Sequence, residues 1–380
     1  MPDNTPTTVI CAQCQHSVQL PELAHRQRAL CPRCGHTLLV ARRRQTEKLL
    51  ALSISALVFL FLSLPFNFLS FRASGQQHSI DLPGGLNVLI AHDALSLAII
   101  TGIATLILPG LVLLGFSMLS IARLGGTRPP AVFRIRRLVD AMLPWSMAEI
   151  FLVGTLVSLI KITEMADVAI GLSFYAFIGF SVCMTAALVH YNSNDFALWL
   201  HRGSPPPPPD MDSQAASWSI QRTWALLITA ALLYIPANML PIMQTELFGR
   251  IEPNTIIGGV IRLWDAGSYP VALIILIASV IVPVAKIAML GWLNYTVQAQ
   301  HQRSKRLRMR YYRITEYIGR WSMIDVFVVA VLVALIQSGN SLSVYPGQAA
   351  LAFCAVVFIT MIAAMTFDSR LIWFNRKQLS

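Results

Sequence analysis

Eight long apolar runs constrain what this chain can fold into more than any other feature of its sequence. An apolar helix needs roughly 18 residues or more to cross a bilayer, and these runs are long enough to do so. Of the 380 residues, 55% are hydrophobic and only 12% are charged, which is little charge for a soluble protein of this length. The sequence therefore predicts an all-α polytopic membrane protein. Its eight transmembrane helices are expected at residues 49–71, 94–122, 138–160, 167–191, 222–243, 270–295, 314–337 and 347–367.

Lysine and arginine are concentrated in four places: before the first run, between the second and third, between the sixth and seventh, and after the eighth. With eight spans, all four places lie on one side of the membrane, and the excess of positive charge makes that side cytoplasmic. We therefore expect both termini in the cytoplasm and the first run to be an uncleaved anchor. The net charge of +11 then reflects topology and attraction to anionic lipid rather than nucleic-acid binding.

An internal repeat divides the chain. The pattern W-S-M-x-[DE]-x-F begins at Trp145 and again at Trp321, 176 residues later, and "LPFNFL" matches "IPANML". Four spans per copy make the two copies parallel. We predict two four-helix units, residues 45–201 and 218–377. Between them, the five prolines of segment 202–217 indicate an extended cytoplasmic linker.

The longest segments expected on the non-cytoplasmic face are residues 72–93 and 244–269. In the first of them, "SIDLPGGLNVLI" has a Pro-Gly-Gly turn between apolar runs, which favours a small β-hairpin. An ordered loop without strands is the alternative. These two segments are the predicted docking surface for a partner on that face.

Four cysteines near the start form two C-x2-C pairs separated by sixteen residues. This spacing is typical of a tetrahedral zinc site, so residues 1–40 are predicted to form a cytoplasmic zinc ribbon with one structural Zn²⁺. Redox sensing is the alternative. The predicted ligands are Cys11, Cys14, Cys31 and Cys34. Three nearby histidines could compete as ligands but are expected to be surface residues: His16, His25 and His36.

Two acids occupy the same place in the repeated motif, Glu149 in the first copy and Asp325 in the second. An ionisable side chain inside a membrane span costs roughly 2.5–3.5 kcal/mol on insertion scales. The acids therefore indicate either a polar transport site or an interhelical bond that fixes packing. Four other polar residues could share such a site: Lys161, Glu164, Lys286 and Thr360.

Each of these four residues also has a structural interpretation. Lys161 and Glu164 are spaced to pair on one helix face, Lys286 could extend to the membrane edge, and Thr360 could bond its own helix. In the second copy Gln337 stands where the first has Lys161. We therefore predict one shared site, with Lys161 from the first unit and Asp325 from the second.

Taken together, the cysteine pairs, "VPVAK", "GRWSMIDVF" and the closing "FDSRLIW" resemble the paraquat-inducible protein A family. That family includes the A component of the lipophilic envelope-spanning tunnel system. The resemblance implies a Gram-negative inner-membrane protein with two tetraspanin-like units and a polar network of Lys161, Glu164, Asp325 and Thr360. It also implies a partner with mammalian-cell-entry (MCE) domains that forms a periplasmic tunnel. Many family members carry a second four-cysteine module between the units, but the linker here contains no cysteine.

The expected function is the loading or unloading of phospholipid, or another lipophile, at such a tunnel. The chain has no G-x-x-x-x-G-K-[ST] or H-E-x-x-H motif, so we expect no enzyme activity and no nucleotide partner. Two alternatives belong to other classes: a passive membrane anchor for the tunnel protein, and an envelope sensor of stress or of zinc and thiol state.

Overall fold

Helices dominate the part of the chain that the computed structural model describes, although ten short strands accompany them. The strands form small sheets outside the apolar helices, so the prediction of an all-α protein was too simple. The described residues are 8–20, 23–24, 26–73, 76–91, 95–163, 167–203, 213–247, 250–265, 267–299, 305–336 and 342–373. The proline run of the predicted linker lies outside them.

The N-terminal part, residues 8–41, is called the cysteine module below. It contains two antiparallel hairpins, and each C-x2-C pair lies in the turn of one hairpin. Its strands are β1 (Thr8–Ile10), β2 (Ser17–Gln19), β3 (Arg28–Leu30) and β4 (Thr37–Val40).

The first half of the membrane region, residues 45–200, begins with a helix and a hairpin and ends with two helices. Its elements are α1 (Gln45–Leu62), β5 (Leu69–Ala73), β6 (Gln76–Ile80), α2 (Leu82–Ala91), α3 (Leu95–Gly102), a π-helical segment (Ile103–Ile107), α4 (Leu108–Leu124), α5 (Pro130–Met142), a 3-10 turn (Leu143–Trp145), α6 (Ala148–Thr163), β7 (Asp167–Ile170), α7 (Leu172–His190) and α8 (Ser193–Leu200). Its strands form one antiparallel sheet in the order β6-β5-β7.

The second half, residues 213–372, repeats this order closely, with a 3-10 turn in place of α8. Its elements are α9 (Ser213–Met239), β8 (Met243–Leu247), β9 (Arg250–Asn254), α10 (Ile256–Asp265), α11 (Tyr269–Leu276), a second π-helical segment (Ile277–Ile281), α12 (Val282–Gln298), α13 (Lys305–Trp321), α14 (Ile324–Ile336), β10 (Leu342–Pro346), α15 (Gln348–Thr366) and the 3-10 turn (Ser369–Ile372). Its sheet has the equivalent order β10-β8-β9.

Seven helical stretches in the described chain are long and apolar enough to cross a membrane. The seventh of the eight predicted spans, 314–337, is instead divided between α13 and α14, and α14 has only 13 residues. The first predicted span also ends early, because α1 stops at Leu62 and the residues after Pro65 lead into β5. Proline cannot continue the helical hydrogen bonding, which explains this early end.

The interpretation of Pro-Gly-Gly as a hairpin turn was wrong. Pro83 is the second residue of α2, where its missing N–H costs nothing and its fixed φ suits the first turn of a helix. The hairpin of this segment lies earlier, where β5 pairs with β6 from Leu69↔Ile80 to Ala73↔Gln76.

Each half has a π-helical segment that ends two residues before a proline, Pro109 in α4 and Pro283 in α12. A proline inside a membrane helix removes one hydrogen bond and crowds the carbonyl of the preceding turn. Widening that turn relieves the crowding, and it leaves carbonyls that other groups must satisfy. Met147 N–H in the first half and Tyr234 O–H in the second donate to such carbonyls, on Ala104 and Val280, at 3.1 and 3.2 Å.

The two halves pack through α6 and α14. Gly154 lies so close to α14 that a Cβ there would be 3.1 Å from the Cβ of Phe327, and Ser158 Oγ donates to Val328 O at 3.3 Å. The contacts advance together along both helices, so α6 and α14 run in the same direction. Most of α14 is buried in this position.

The cysteine module lies at the end of the membrane region opposite the two sheets, and it contacts both halves. Asn194 Nδ2, at the start of α8, donates to Leu38 O at 3.1 Å. On the second half, Ser369 Oγ donates to Gln13 O at 3.4 Å, and the Arg33 guanidinium lies 4.8 Å from the centre of the Trp373 ring. The module therefore bridges the halves at this face.

Candidate functional site

A lysine is buried within the apolar helices of the second half. Lys286 on α12 is only 2% exposed, and its Nζ donates to Thr360 Oγ1 on α15 at 2.9 Å and to Gly319 O on α13 at 3.5 Å. The Thr360 hydroxyl in turn donates to Val357 O at 2.9 Å. Burying an ammonium group is costly unless it is hydrogen-bonded, and such groups in membrane proteins mark functional paths.

The repeated W-S-M motif forms the break before α6 and α14. In the first half the break follows a 3-10 turn that contains Pro144, and in the second half Ser322 and Met323 form a turn between α13 and α14. The motif serines, Ser146 and Ser322, are both buried, and neither hydroxyl has a hydrogen-bond partner among the residues that are described. Each half therefore buries an equivalent hydroxyl group at this break.

The two motif acids lie at the starts of helices rather than within them. Glu149 is the second residue of α6 and Asp325 is the second residue of α14. The free N–H groups and the positive dipole end of a helix favour a carboxylate at this position, which lowers the cost of burying it. The predicted spans 138–160 and 314–337 place both acids inside continuous helices, and the structure instead places them just after a break. One carboxylate oxygen of Glu149 is buried.

The structure does not describe the side chains of three predicted network residues: Lys161, Glu164 and Asp325. Only the backbone positions of Lys161 and Asp325 are described. Ile324 lies against Gly154, and Lys161 follows Gly154 by seven residues, which is about 10 Å along the helix axis. Their predicted pairing stays a prediction. Lys286 contacts the carbonyl of Gly319, three residues before the turn at Ser322 that precedes Asp325.

An apolar cavity lies between the first half and α14, towards the sheets. Its cavity volume is about 50 Å³. Aliphatic and aromatic side chains form most of its wall, and Asp81, Thr101 and Thr105 add polar groups. Its wall includes Leu86, Leu106, Phe151 and Val331. Such a wall favours hydrocarbon, because burial of apolar surface is favourable without directional bonds. Typical ligand sites measure roughly 300–1,000 Å³, so the cavity must widen to hold a whole acyl chain.

The four cysteines of the module converge at one point. Their Sγ atoms all lie within 4.8 Å of one another, and Cys11–Cys34 and Cys14–Cys31 are separated by 3.6 and 3.5 Å. A tetrahedral zinc with Zn–S distances near 2.3 Å needs sulfur atoms about 3.8 Å apart, so the arrangement fits a metal ion. His16 and His36 do not belong to this group of possible ligands, and His25 lies outside the described residues.

The backbone of the two turns is matched. Cys11 N and Cys31 N bond to His16 O and His36 O, while Gln15 N and Gly35 N bond to Cys11 O and Cys31 O. Residues 15 and 35 have φ of 55° and 73°, a region that glycine adopts more easily than glutamine. Hydrogen bonds from Cys14 and nearby backbone groups lower the pKa of the Cys11 thiol to about 4, whereas burial raises the pKa of Cys34 to about 11.

Sequence reasoning missed two groups that the structure brings into these sites. Ser322 was part of the repeated motif, so the repeat itself was a signal for it. Arg313 contacts Cys34, but it lies in a run of basic residues that topology alone explains. No pattern separated Arg313 from its neighbours.

Comparison with known proteins gives consistent matches over nearly the whole chain. The family model described as Paraquat-inducible protein A matches residues 46–200 and 220–377. The chain is 35% identical to the intermembrane transport protein PqiA of Escherichia coli (strain K12) over 406 aligned residues, covering 96% of this chain and 95% of that protein.

Two further relatives are more distant. A probable intermembrane transport protein of Haemophilus influenzae is 28% identical over 399 residues, covering 96% of this chain and 95% of that protein. The lipophilic envelope-spanning tunnel protein A of Escherichia coli (strain K12) is 28% identical over 397 residues, covering 96% of this chain and 90% of the relative. No solved structure matches the chain.

Proposed function

Because the chain belongs to the paraquat-inducible protein A family, we propose that it is the inner-membrane subunit of a lipid transport system in a Gram-negative envelope. It loads phospholipid or another lipophile into a tunnel protein with MCE domains, or unloads it from that protein. Two relatives are named for intermembrane transport and one for an envelope-spanning tunnel, which supports transport between membranes in the broad sense. Beyond the broad role in those names, we propose that this protein transfers lipid directly.

The buried lysine carries this proposal. A passive membrane anchor has no need for an ammonium group inside its helices, and burying one lowers stability unless it is bonded. Lys286 and Thr360 form the described part of the proposed network, at 2.9 Å. Asp325, Lys161, Glu164 and Glu149 are its other proposed members. The network binds protons or opens a polar path for the lipid head group as the halves move.

The proposed arrangement in the membrane follows the basic residues. Both termini and the cysteine module are cytoplasmic, and the two sheets face the periplasm. The halves are tandem, parallel four-helix units of common origin. The repeated element order and the two segments matched by one family model support this. One Zn²⁺ bound by Cys11, Cys14, Cys31 and Cys34 stabilises the module as a zinc ribbon.

Substitution of Thr360 tests the role of the network. Thr360→Val keeps the side-chain shape but removes the hydroxyl that Lys286 contacts, and Thr360→Ser keeps the hydroxyl. In a strain whose envelope integrity depends on this protein, we expect Thr360→Ser to restore growth and Thr360→Val to fail at equal protein level. Equal growth with both variants would instead support a passive anchor.

Lipid capture tests the cavity. A photoreactive p-benzoylphenylalanine at Leu106, which lines the cavity, should crosslink radiolabelled phospholipid in cells. The matched control is the same residue at Phe180, which is fully buried in the core of the first half. Capture at both positions or at neither would argue against a lipid site in the cavity.

The MCE partner is proposed to dock on the sheets and their adjoining segments, 72–93 and 244–269. Copurification of a periplasmic MCE protein should be lost when both segments are replaced by short glycine-serine linkers. Copurification that persists would place the docking surface elsewhere.

A further inference from the structure

One arginine of the second half reaches both cysteine pairs of the module. Arg313 on α13 donates from Nε and Nη2 to Gln13 Oε1, at 3.0 and 2.7 Å, and Gln13 lies between Cys11 and Cys14. Its Nη2 also donates to Cys34 O at 3.0 Å, and its Nη1 to Gly35 O at 3.4 Å. A single guanidinium therefore connects the first C-x2-C turn to the second.

The same group also faces a metal ligand. Arg313 Nη2 lies 3.8 Å from Cys34 Sγ, within reach of an N–H···S hydrogen bond. Four thiolates around one divalent ion carry a net charge of about −2, and burial makes that charge costly. A cation that donates to a ligand sulfur lowers the cost and fixes the ligand's orientation, as outer-shell groups do in metal sites.

Apolar packing holds the module against the same helix. The four cysteines, Val9 and Leu38 form one buried cluster with side chains of the second half. Those side chains are Leu293, Met309, Tyr312, Phe367 and Ile372. A metal bound by the four cysteines would join the two hairpins and so restrain the surface that they present to these side chains.

We propose that Arg313 is an outer-shell residue of the metal centre, so that a residue of the membrane region completes the site and metal binding holds the module on α13. The inference rests on the proposed metal site at the four cysteines, and it adds a group that the C-x2-C spacing does not reveal. Because α13 also supplies the Gly319 carbonyl that Lys286 contacts, metal occupancy restrains one wall of the buried lysine site.

Metal release from the purified full-length protein tests this inference. Zinc content is measured first, and release is then followed with the chromogenic chelator 4-(2-pyridylazo)resorcinol. Outer-shell substitutions in metal sites typically cost about 10- to 100-fold in affinity, so Arg313→Gln should release zinc about 10- to 100-fold faster than the unmodified protein. The matched control, Arg310→Gln, removes the same charge from an exposed position one turn away and should release zinc at the original rate.

Hydrogen exchange of α13 provides a second readout that does not depend on transport. Chelation should increase amide exchange in residues 305–321 of the unmodified protein, and Arg313→Gln should show increased exchange before chelation. Arg313→Lys keeps the charge but cannot contact both turns. Its zinc release rate should therefore lie between those of the unmodified protein and of Arg313→Gln.

The outcomes separate the two proposals. Zinc that is bound normally but released equally fast from Arg313→Gln and Arg310→Gln overturns the role of Arg313 and leaves the metal site intact. If the unmodified protein contains no zinc, both the proposed metal site and the role of Arg313 are wrong. If Arg313→Gln is aggregated on size-exclusion chromatography, the comparison is made between Arg313→Lys and Arg310→Lys, and equal rates there also overturn the inference.

Discussion

Ser158 on α6 shares its hydroxyl hydrogen between Gly154 O of its own helix, at 2.9 Å, and Val328 O of α14, at 3.3 Å, so a side chain of the first half contacts the backbone of the second. Such a contact requires close approach of the two helices. Gly154, one turn earlier, permits it because it has no side chain, as small residues do at other membrane helix interfaces.

Gly154→Val should therefore weaken the association of the halves. The added side chain would meet Phe327 and the carbonyl of Ile324, and overpacking of this kind costs about 1–3 kcal/mol. We expect a lower thermal unfolding midpoint in detergent. Gly291→Val is the matched control, since a Cβ there meets nothing within 4 Å, and its midpoint should not fall.

A second pair of glycines tests whether the halves are built alike. A Cβ at Gly171, before α7, would overlap the carbonyl oxygen of Asn67, and one at Gly347, before α15, would overlap that of Pro241. Backbone cannot move aside as a side chain can. Gly171→Ala and Gly347→Ala should each lower stability by about 1–3 kcal/mol, measured by thermal unfolding. A large effect in only one half would contradict the equivalence.

Lys286→Met should abolish transport without lowering the stability of the protein. Methionine fills a similar volume without a charge, and Thr360 still bonds Val357, so we expect an unchanged or higher unfolding midpoint. Transport, measured as growth of the dependent strain, should be lost. Lys48→Met, at an exposed lysine of α1, is the control and should grow normally. Normal growth with Lys286→Met would make the buried lysine a packing residue.

The two motif acids should differ in importance. Asp325→Asn and Lys161→Ala are each expected to abolish growth of the dependent strain at normal protein level, and Glu149→Gln should be milder. The reason is the proposed shared site, which needs the acid of the second half and the base of the first. Immunoblotting of membranes verifies protein level. A fully active Asp325→Asn protein would leave packing as the reason for the acid.

Metal analysis of purified protein should give about one equivalent of zinc per chain, because four thiolates form one closed tetrahedral site. The double substitution Cys31→Ser with Cys34→Ser should remove it. Cys183→Ser with Cys354→Ser changes the same number of cysteines outside the module and should retain it. Two equivalents would reveal a second metal site.

The sequence predicted the apolar helices and the convergence of four cysteines, because both depend on local composition and spacing. It could not predict the break before Asp325. Ile324 and the residues after it are as apolar as a continuous span, so hydropathy gives no signal there. The repeated serine of the motif was the available sign, since Ser146 and Ser322 occupy the same place in the two halves.

Other features could not be predicted because they depend on the whole fold rather than on local sequence. Pro83, for example, suits either a turn or the first turn of a helix, and only the fold decides between them. Arg313 has the same composition signal as the other arginines of its segment, and its contact with Gln13 joins residues 300 positions apart. Lys286 was recognisable as a buried base, but Gly319 as its acceptor was not.

Because the cysteine module bridges the two halves, different kinds of contact hold the halves together at the two faces of the protein. Polar contacts from Leu38 to Asn194 and from Gln13 to Arg313 fasten the halves together at one face. At the opposite face, apolar side chains such as Leu86, Phe151 and Val331 line the cavity between the first half and α14. Separation of the halves at the module face therefore breaks hydrogen bonds to the module, whereas separation beside the cavity mainly exposes apolar side chains.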